Sequence, residues 1–352
     1  MKECKKIDKV QDKFISFLAE NEVKSTTKVS ENTDKPLVSI LLAVYKPNEK
    51  WLIEQLISLN NQNYSNLNLF VYDDCPECTA DKVLFEKYIT NFNFKIIRGT
   101  VNKGSNKAFE ELTKIADGEY FAYCDQDDIW EKDKISLMMG KFNRSDVNLV
   151  CCDLSIIDEN SRKTHDSIRD IRKRIIYKSG YGLTKGLLMS NFVTGCAMIV
   201  KRDIALKSVP FLDEIVHDQW IAIIASINGQ IIFFDKSLVR YRQHSRNQTG
   251  ILKGVINKEM YYRNQINDFI KRLNSISSRI TLDKDLNEYF NKLLLWLDAR
   301  RMYSKKISIK DLKIMIKYRN FNNISILIET ILPFIPDFIF KYILKLAQKG
   351  VL

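Results

Sequence analysis

The run Tyr123-Cys124-Asp125-Gln126-Asp127-Asp128-Ile129-Trp130 sets three carboxylates within four residues, directly after an apolar stretch. Carboxylates this close repel one another, and keeping all of them ionised costs free energy unless a cation neutralises them. Oxygen ligands of this kind suit Mg2+ or Mn2+. Mg2+ takes one or two protein carboxylates and fills its shell with water and substrate phosphate oxygens, so the implied ligand is a diphosphate. The plain alternative is a solvated acidic turn in which one Asp caps the next helix. The apolar run before the cluster favours the metal, because it places the carboxylates at a binding edge.

Four other groups carry chemistry. Asp73 and Asp74 close an apolar run; such a carboxylate can accept hydrogen bonds from a base or ribose, or simply cap a helix. Asn102-Lys103-Gly104 precedes a helical segment, where glycine permits close backbone approach and a helix N-terminus favours anions. His217-Asp218-Gln219-Trp220 opens another helix, where a lone Asp is usually a cap. Arg240, Arg242, His244 and Arg246 follow an apolar run, and the cationic and imidazole donors among them could grip a diphosphate or form a basic surface loop. There is no P-loop, no dinucleotide-binding glycine fingerprint and no serine nucleophile elbow. Cys75-Pro76-Glu77-Cys78 lacks the second cysteine pair that a zinc site requires.

Positioning these groups requires a sheet whose strands end where they lie. Leu37–Val44, Leu67–Tyr72, Phe94–Arg98 and Tyr120–Cys124 are apolar runs of strand length. Trp51–Leu59, Asp81–Thr90 and Asn106–Ile115 between them have helical periodicity. Alternation of this kind predicts an α/β fold with a doubly wound, mostly parallel sheet, and ligands of such sheets bind at the C-terminal strand ends. Tyr45, Asp73, Asp74, Asn102 and Asp125 to Asp128 all fall there. Asn148–Ile157 continues the pattern, Arg162–Lys178 reads as a charged loop or helix, and Met189–Lys201 is apolar around Gly195. Asp218–Asn228 is expected as a helix and Gln230–Tyr241 as a strand.

Both termini read differently from this middle. Ile7, Val10, Phe14, Phe17 and Leu18 predict an N-terminal helix, followed by a polar linker from Ser25 to Lys35. The chain has no apolar leader and no apolar run of membrane-spanning length, which is the expectation for a cytoplasmic protein. Seven cysteines without framework spacing fit reduced thiols better than a disulfide scaffold. The net charge is +12, and the stretch from Arg301 onward holds ten Lys/Arg against three Asp/Glu. After Gly250 the pattern is helical throughout. Ile324–Leu346 is rich in Ile, Leu and Phe but is broken by Glu329, Pro333, Pro336 and Asp337. It reads equally well as an amphipathic hairpin at a bilayer interface and as a helical pair packed on the core or on a dimer partner.

In order and spacing, these pieces resemble the family 2 inverting glycosyltransferases with a GT-A fold, from about Leu37 to Asn247. Val38 to Tyr45 is similar to that family's first strand, whose end, at Val44 and Tyr45, lies beside the nucleobase. Val71 to Asp74, Asn102-Lys103-Gly104 with Ala108, and Asp125-Gln126-Asp127-Asp128 resemble its second strand, its Asn-x-Gly turn and its DxD-type metal motif. Val193-Thr194-Gly195-Cys196-Ala197 resembles the acceptor-side segment, and His217-Asp218 stands where the family keeps its base. The His-Asp-Gln-Trp and Gln-His-x-x-Asn sequences are most similar to rhamnosyltransferases of bacterial polysaccharide assembly. The chain departs from the family in having Cys75 and Pro76 after the Asp pair, and in lacking the Gln-x-x-Arg-Trp motif of processive synthases.

The resemblance implies an inverting transfer of a sugar from a UDP- or dTDP-sugar to a saccharide or lipid-linked acceptor. Asp218 would act as base. Asp125, Asp127 and His244 would hold Mg2+ or Mn2+. The donor would meet Val44, Tyr45, Asp73, Asp74, Asn102, Gly104, Asp125, Gln126, Arg242 and His244; the acceptor would meet Thr194, Gly195, His217 and Trp220. It divides the chain into a helix and linker at 1–35, a transferase domain at 36–250 and a helical region at 251–352. Nucleic acid is not an expected partner, while a membrane face and a second copy are both compatible with the basic C-terminal region. A metal-dependent nucleotidyltransferase is a competing class, though Tyr45-Lys46-Pro47-Asn48 makes a poor glycine-rich loop. A basic, non-enzymatic polyanion- or membrane-binding protein is another.

Overall fold

The computed structural model describes residues 22–24, 34–244 and 254–348. The expected helix at Ile7–Leu18 and most of the linker lie outside these residues, as do Arg246 and Asn247. The chain divides into two compact units, Met1–His244 and Ser245–Leu352.

The first unit is built on a mixed ten-stranded sheet. Its centre is β2 (Val38–Val44), β3 (Leu67–Asp73), β4 (Asn93–Arg98) and β5 (Tyr120–Cys124), all parallel. β2 is buried at every position but Ala43, which is half-buried, as the continuous apolar run required. The helices between these strands are α1 (Glu49–Asn60), α2 (Lys82–Tyr88) and α3 (Ser105–Ile115). Asn48 and Asp81 cap the first two, each side chain accepting a main-chain N–H. The strand order β4-β3-β2-β5 reverses direction between β2 and β5, and a crevice at such a reversal is where doubly wound sheets bind ligands.

The second half of the sheet departs from simple alternation. β7 (Val147–Ile157) and β10 (Gln230–Arg242) run parallel, and the short β9 (Met198–Lys201) is inserted antiparallel between β5 and β7. Its reversed direction puts the start of β9, and the turn Gly195–Ala197 before it, at the same sheet edge as the end of β5. β6 (Ile129–Trp130) pairs antiparallel with β10, register Arg240 to Ile129, and so sets the acidic turn beside Arg242. The expected charged loop or helix at Arg162–Lys178 holds only a short strand, β8 (Lys163–His165), and one 3-10 turn. β1 (Glu22–Lys24) lies at the sheet edge against β4. The remaining helices are α4 (Lys134–Met139), α5 (Thr184–Met189), α6 (Arg202–Lys207) and α7 (His217–Asn228).

Cys75 and Cys78 form a disulfide with Cα atoms 5.4 Å apart, a pairing the cysteine spacing did not announce. The turn after Asp74 folds back on itself there, and the Cys78 main-chain N–H points at the Cys75 sulfur. Cys124, Cys151, Cys152 and Cys196 are free and buried.

The described residues of the second unit hold helices and no strand: α8 (Lys258–Tyr262), α9 (Asp268–Ser277), α10 (Lys284–Lys305), α11 (Ile309–Lys317), α12 (Asn323–Ile331) and α13 (Asp337–Gln348). No described helix is long and apolar enough to cross a membrane.

Candidate active site

The crevice at the sheet reversal is closed by one side chain. Gln126 accepts the Tyr45 main-chain N–H at 2.8 Å and donates back to the Tyr45 carbonyl at 3.1 Å. This paired contact ties the end of β2, at Val44, to the acidic turn, so Gln126 fixes the crevice with its amide. The neighbouring Asp pair does similar work. Asp73 accepts main-chain N–H groups of Cys75 at 3.1 Å and Ala80 at 2.6 Å, and burial raises its pKa. Asp74 holds the Asn102-Lys103-Gly104 turn, accepting Lys103 N–H on one oxygen and Gly104 N–H on the other, both at 2.8 Å. Gly104 has φ +80°, a left-handed conformation that favours glycine, and Asn102 Oδ1 accepts its N–H as well. Main-chain groups of three loops therefore shape this end of the sheet.

At the acidic turn, Asp127 Oδ2 lies 2.7 Å from His244 Nε2, and the imidazole sits 4.9 Å from the Trp51 ring. Asp127 and His244, expected together from the sequence, thus meet across 117 residues. Arg242 requires a correction. Its side chain is fully buried and does not face a ligand. Nε donates to the Asp127 carbonyl at 2.7 Å, Nη1 to the Asp158 carbonyl and to Ser161, and Nη2 to Glu54 at 2.6 Å. The Arg242 main-chain N–H donates to Asp128 Oδ1 at 3.0 Å. A rigid guanidinium with several fixed donors suits this task of gripping the turn from behind. Glu54 and Ser161, unremarkable in the sequence, complete the grip.

The acidic turn is short of positive charge. Burial, and then Asp127 and Asp218, push Asp125 up to about 7. Burial, Asp127 and Asp125 also raise Asp128, whose Oδ2 is buried without a hydrogen-bond partner among the described residues. One ligand atom each from Asp125, Asp128 and Cys196 lie within 4.8 Å of one another. An unsatisfied carboxylate oxygen among mutually repelling acids fits a divalent cation, and the oxygen-rich set fits a hard one. Lys134, buried to 0% exposure, adds a countercharge and donates to the Cys196 carbonyl at 2.6 Å. Burial pushes its amine down to about 8. Neither Lys134 nor Cys196 was singled out as a site residue, since nothing local marks a lysine as buried.

Asp218 lies beside this turn, at the N-terminal end of α7. Its Oδ1 accepts Asn191 Nδ2 at 2.9 Å, and its Oδ2 accepts the Gly195 N–H at 3.0 Å. Burial raises it to about 6, against the pull of its hydrogen bonds and of Arg172. Arg172 donates to Thr194 at 3.3 Å. His217 packs among Phe109, Tyr123 and Phe211, with Nε2 buried and unpaired among the described residues. Burial holds it down to about 3, so it is neutral. Trp220 is corrected as well: it is fully buried, its indole N–H donates to the Ser208 carbonyl at 2.7 Å, and it serves the core, not an acceptor.

Comparison with known proteins bears on the fold and on the class of the protein. Residues 39–205 match the family model described as Glycosyl transferase family 2. The dTDP-rhamnosyl transferase RfbG of Shigella flexneri is 26% identical over 280 residues, 73% of this chain and 93% of that protein. The UDP-Glc:alpha-D-GlcNAc-diphosphoundecaprenol beta-1,3-glucosyltransferase WfgD of Escherichia coli is 26% identical over 200 residues, 55% of this chain and 72% of that protein. The crystal structure of S. aureus TarS 1-349 with UDP-GlcNAc superposes with TM-score 0.53 at 16% identity, over 81% of this chain and 80% of that one. The mannosyltransferase PcManGT of Pyrobaculum calidifontis, in complex with GDP-Man and Mn2+, gives 0.51 at 14% identity, over 85% and 87%. The protein is a glycosyltransferase. Its fold is GT-A, and its residues 39–205 resemble the family 2 glycosyltransferases, which favours glycosyl transfer over the nucleotidyltransferase and non-enzymatic alternatives.

Proposed function

We propose that the protein transfers a hexosyl group, with rhamnose the leading candidate, from a UDP- or dTDP-sugar to a saccharide or lipid-linked acceptor. The transfer inverts the anomeric centre and serves cell-surface polysaccharide synthesis at the inner face of the cell membrane. The observation that carries the reading is the meeting of Asp218 with the acidic turn: Asp218 accepts the Gly195 N–H, and the next residue, Cys196, lies against Asp125 and Asp128. A base and a diphosphate-binding carboxylate set at one crevice are what a single displacement needs. The names of RfbG and WfgD support a deoxysugar or hexose donor on dTDP or UDP.

Asp125, Asp127 and His244 would hold Mg2+ or Mn2+, with Asp128 and Cys196 adjoining. When bound, the ion would neutralise charge on the departing nucleoside diphosphate. Asp218 takes the proton from the acceptor hydroxyl as that oxygen attacks the anomeric carbon, and the bond to the diphosphate oxygen breaks with its electron pair leaving on that oxygen. Asn191 and the Gly195 N–H orient the carboxylate. Gln126 and Asp74 keep the donor crevice in shape through the main chain.

Thermal shift with nucleoside diphosphates tests the reading. A ligand at a hundredfold excess over its dissociation constant stabilises the native state by about 2.7 kcal/mol. A Mn2+- or Mg2+-dependent shift with UDP or dTDP, absent in Asp127→Ala, is expected. No shift with any nucleotide, metal present, would rule the reading out.

A further inference from the structure

The last two helices of the C-terminal unit have apolar residues on both their inner and outer faces. Glu329 fixes the inner face of α12. It is 2% exposed, accepts Arg300 Nε at 2.7 Å and receives the Tyr261 hydroxyl at 3.1 Å. Phe340 and Leu344, buried with Val255, Tyr261 and Leu332, fix the inner face of α13. Helical periodicity then turns Leu327, Ile328 and Ile331 outward on α12, and Phe338 and Tyr342 outward on α13, opposite Phe340. Phe334 stands in the turn between the helices. Leu327, Phe334, Phe338 and Tyr342 are 67%, 66%, 73% and 65% exposed. A helix that faces water normally carries polar residues on its outer face.

The charges sort by face. Glu329 is internal, and Asp337 pairs with Lys258 at 3.4 Å, so the two acids that interrupt the sequence pattern are both engaged. Lys341 and Lys345 flank the outer face of α13 and are exposed. Exposed aromatic and aliphatic side chains flanked by Lys are complementary to an anionic phospholipid surface, with rings at the headgroup boundary and amines at the phosphates. A second copy is a poorer match, because a two-fold pairing of this face would bring Lys341 and Lys345 toward their equivalents. A span is excluded, since α13 has only 12 residues.

We propose that this outer face of α12 and α13 rests on an anionic phospholipid bilayer as a peripheral anchor. The inference is independent of the transferase chemistry. The full chain should co-sediment with phosphatidylcholine vesicles containing phosphatidylglycerol, and much less with phosphatidylcholine alone, with binding that falls as salt rises. Phe334→Ser/Phe338→Ser/Tyr342→Ser should abolish the binding. Lys341→Gln/Lys345→Gln, which keeps every apolar contact, should weaken it about thirtyfold. The circular dichroism spectrum and nucleotide-induced thermal shift should match wild type in both variants, and the Lys variant carries the test if the apolar one misfolds. Absence of binding to the anionic vesicles, equal binding to neutral ones, or wild-type binding by both variants would each overturn the proposal. So would a concentration-dependent dimer in sedimentation velocity that the apolar substitutions abolish, which would assign the face to a second copy.

Discussion

The Gly195 N–H donates to Asp218 at 3.0 Å, and a β-carbon added to Gly195 would stand 2.8 Å from His217 Nε2. The glycine therefore admits the imidazole and orients the carboxylate at once. Gly195→Ala must displace one of them. The expected result is a fall in kcat of about 10- to 100-fold with donor affinity unchanged, measured by steady-state kinetics and nucleotide thermal shift.

Asp218 is a base only when ionised, and burial raises it to about 6. Transfer should therefore rise with pH through that region with unit slope and level off above it. Asn191 donates to the ionised carboxylate, so Asn191→Ala should move the rise to higher pH. Asp218→Asn should lower turnover about 10²- to 10⁴-fold with nucleotide binding retained; unchanged turnover would remove Asp218 from the mechanism.

His217 supplies a separate linkage to acid. It stays neutral to about 3 in the folded protein, because burial disfavours its charge. The unfolded chain protonates it near the ordinary value of about 6.5. Between these values the unfolded state binds the extra proton, so stability is lost as pH falls through that window. Urea unfolding of His217→Phe should show a shallower loss between about pH 6 and pH 4 than wild type.

Arg242 predicts a stability cost in addition to a catalytic one. Arg242→Met leaves Glu54 without its partner and frees the Asp127 carbonyl. Losing one side of a buried pair costs about 3 kcal/mol or more, which is roughly a 4 °C fall in Tm for a chain of this size. Arg242→Lys can restore one contact and should recover only part of the loss.

Chelation with EDTA should abolish transfer and the nucleotide thermal shift together, and Mn2+ or Mg2+ should restore both. Asp127→Asn and His244→Ala should each raise the metal concentration needed, as expected of neighbours 2.7 Å apart serving one ion.

Much of the parallel half of the sheet was legible because each strand there is a continuous apolar run with its polar residues at one end. β2 and β5 declared themselves that way, and so did the acidic turn. What failed depended on distant partners. Arg242 looked like a ligand donor because its role is defined by Asp127 and Glu54, 115 and 188 residues away. Trp220 looked accessible beside Asp218, but helical rotation carries it inward to Ser208. Lys134 gave no signal, since only the fold surrounds it with Cys196 and Trp130. Asp218 was picked out through its resemblance to a family motif, since a lone Asp at a helix start otherwise reads as a cap.

The antiparallel insertion of β9 has an evolutionary corollary. Asp73, Asp74 and Gln126, which shape the crevice, come before Trp130, whereas Asn191, Gly195, Asp218, Arg242 and His244 come after it. The two parts join along two short ladders, Tyr120 to Ala122 against Ile199 to Lys201 and Ile129 to Trp130 against Val239 to Arg240, and through Arg242 and His244 at the acidic turn. A lineage that redraws the later segment must therefore keep Arg242 and His244 fitted to the acidic turn, which ties any change around Asn191 and Gly195 to a contact that spans 117 residues.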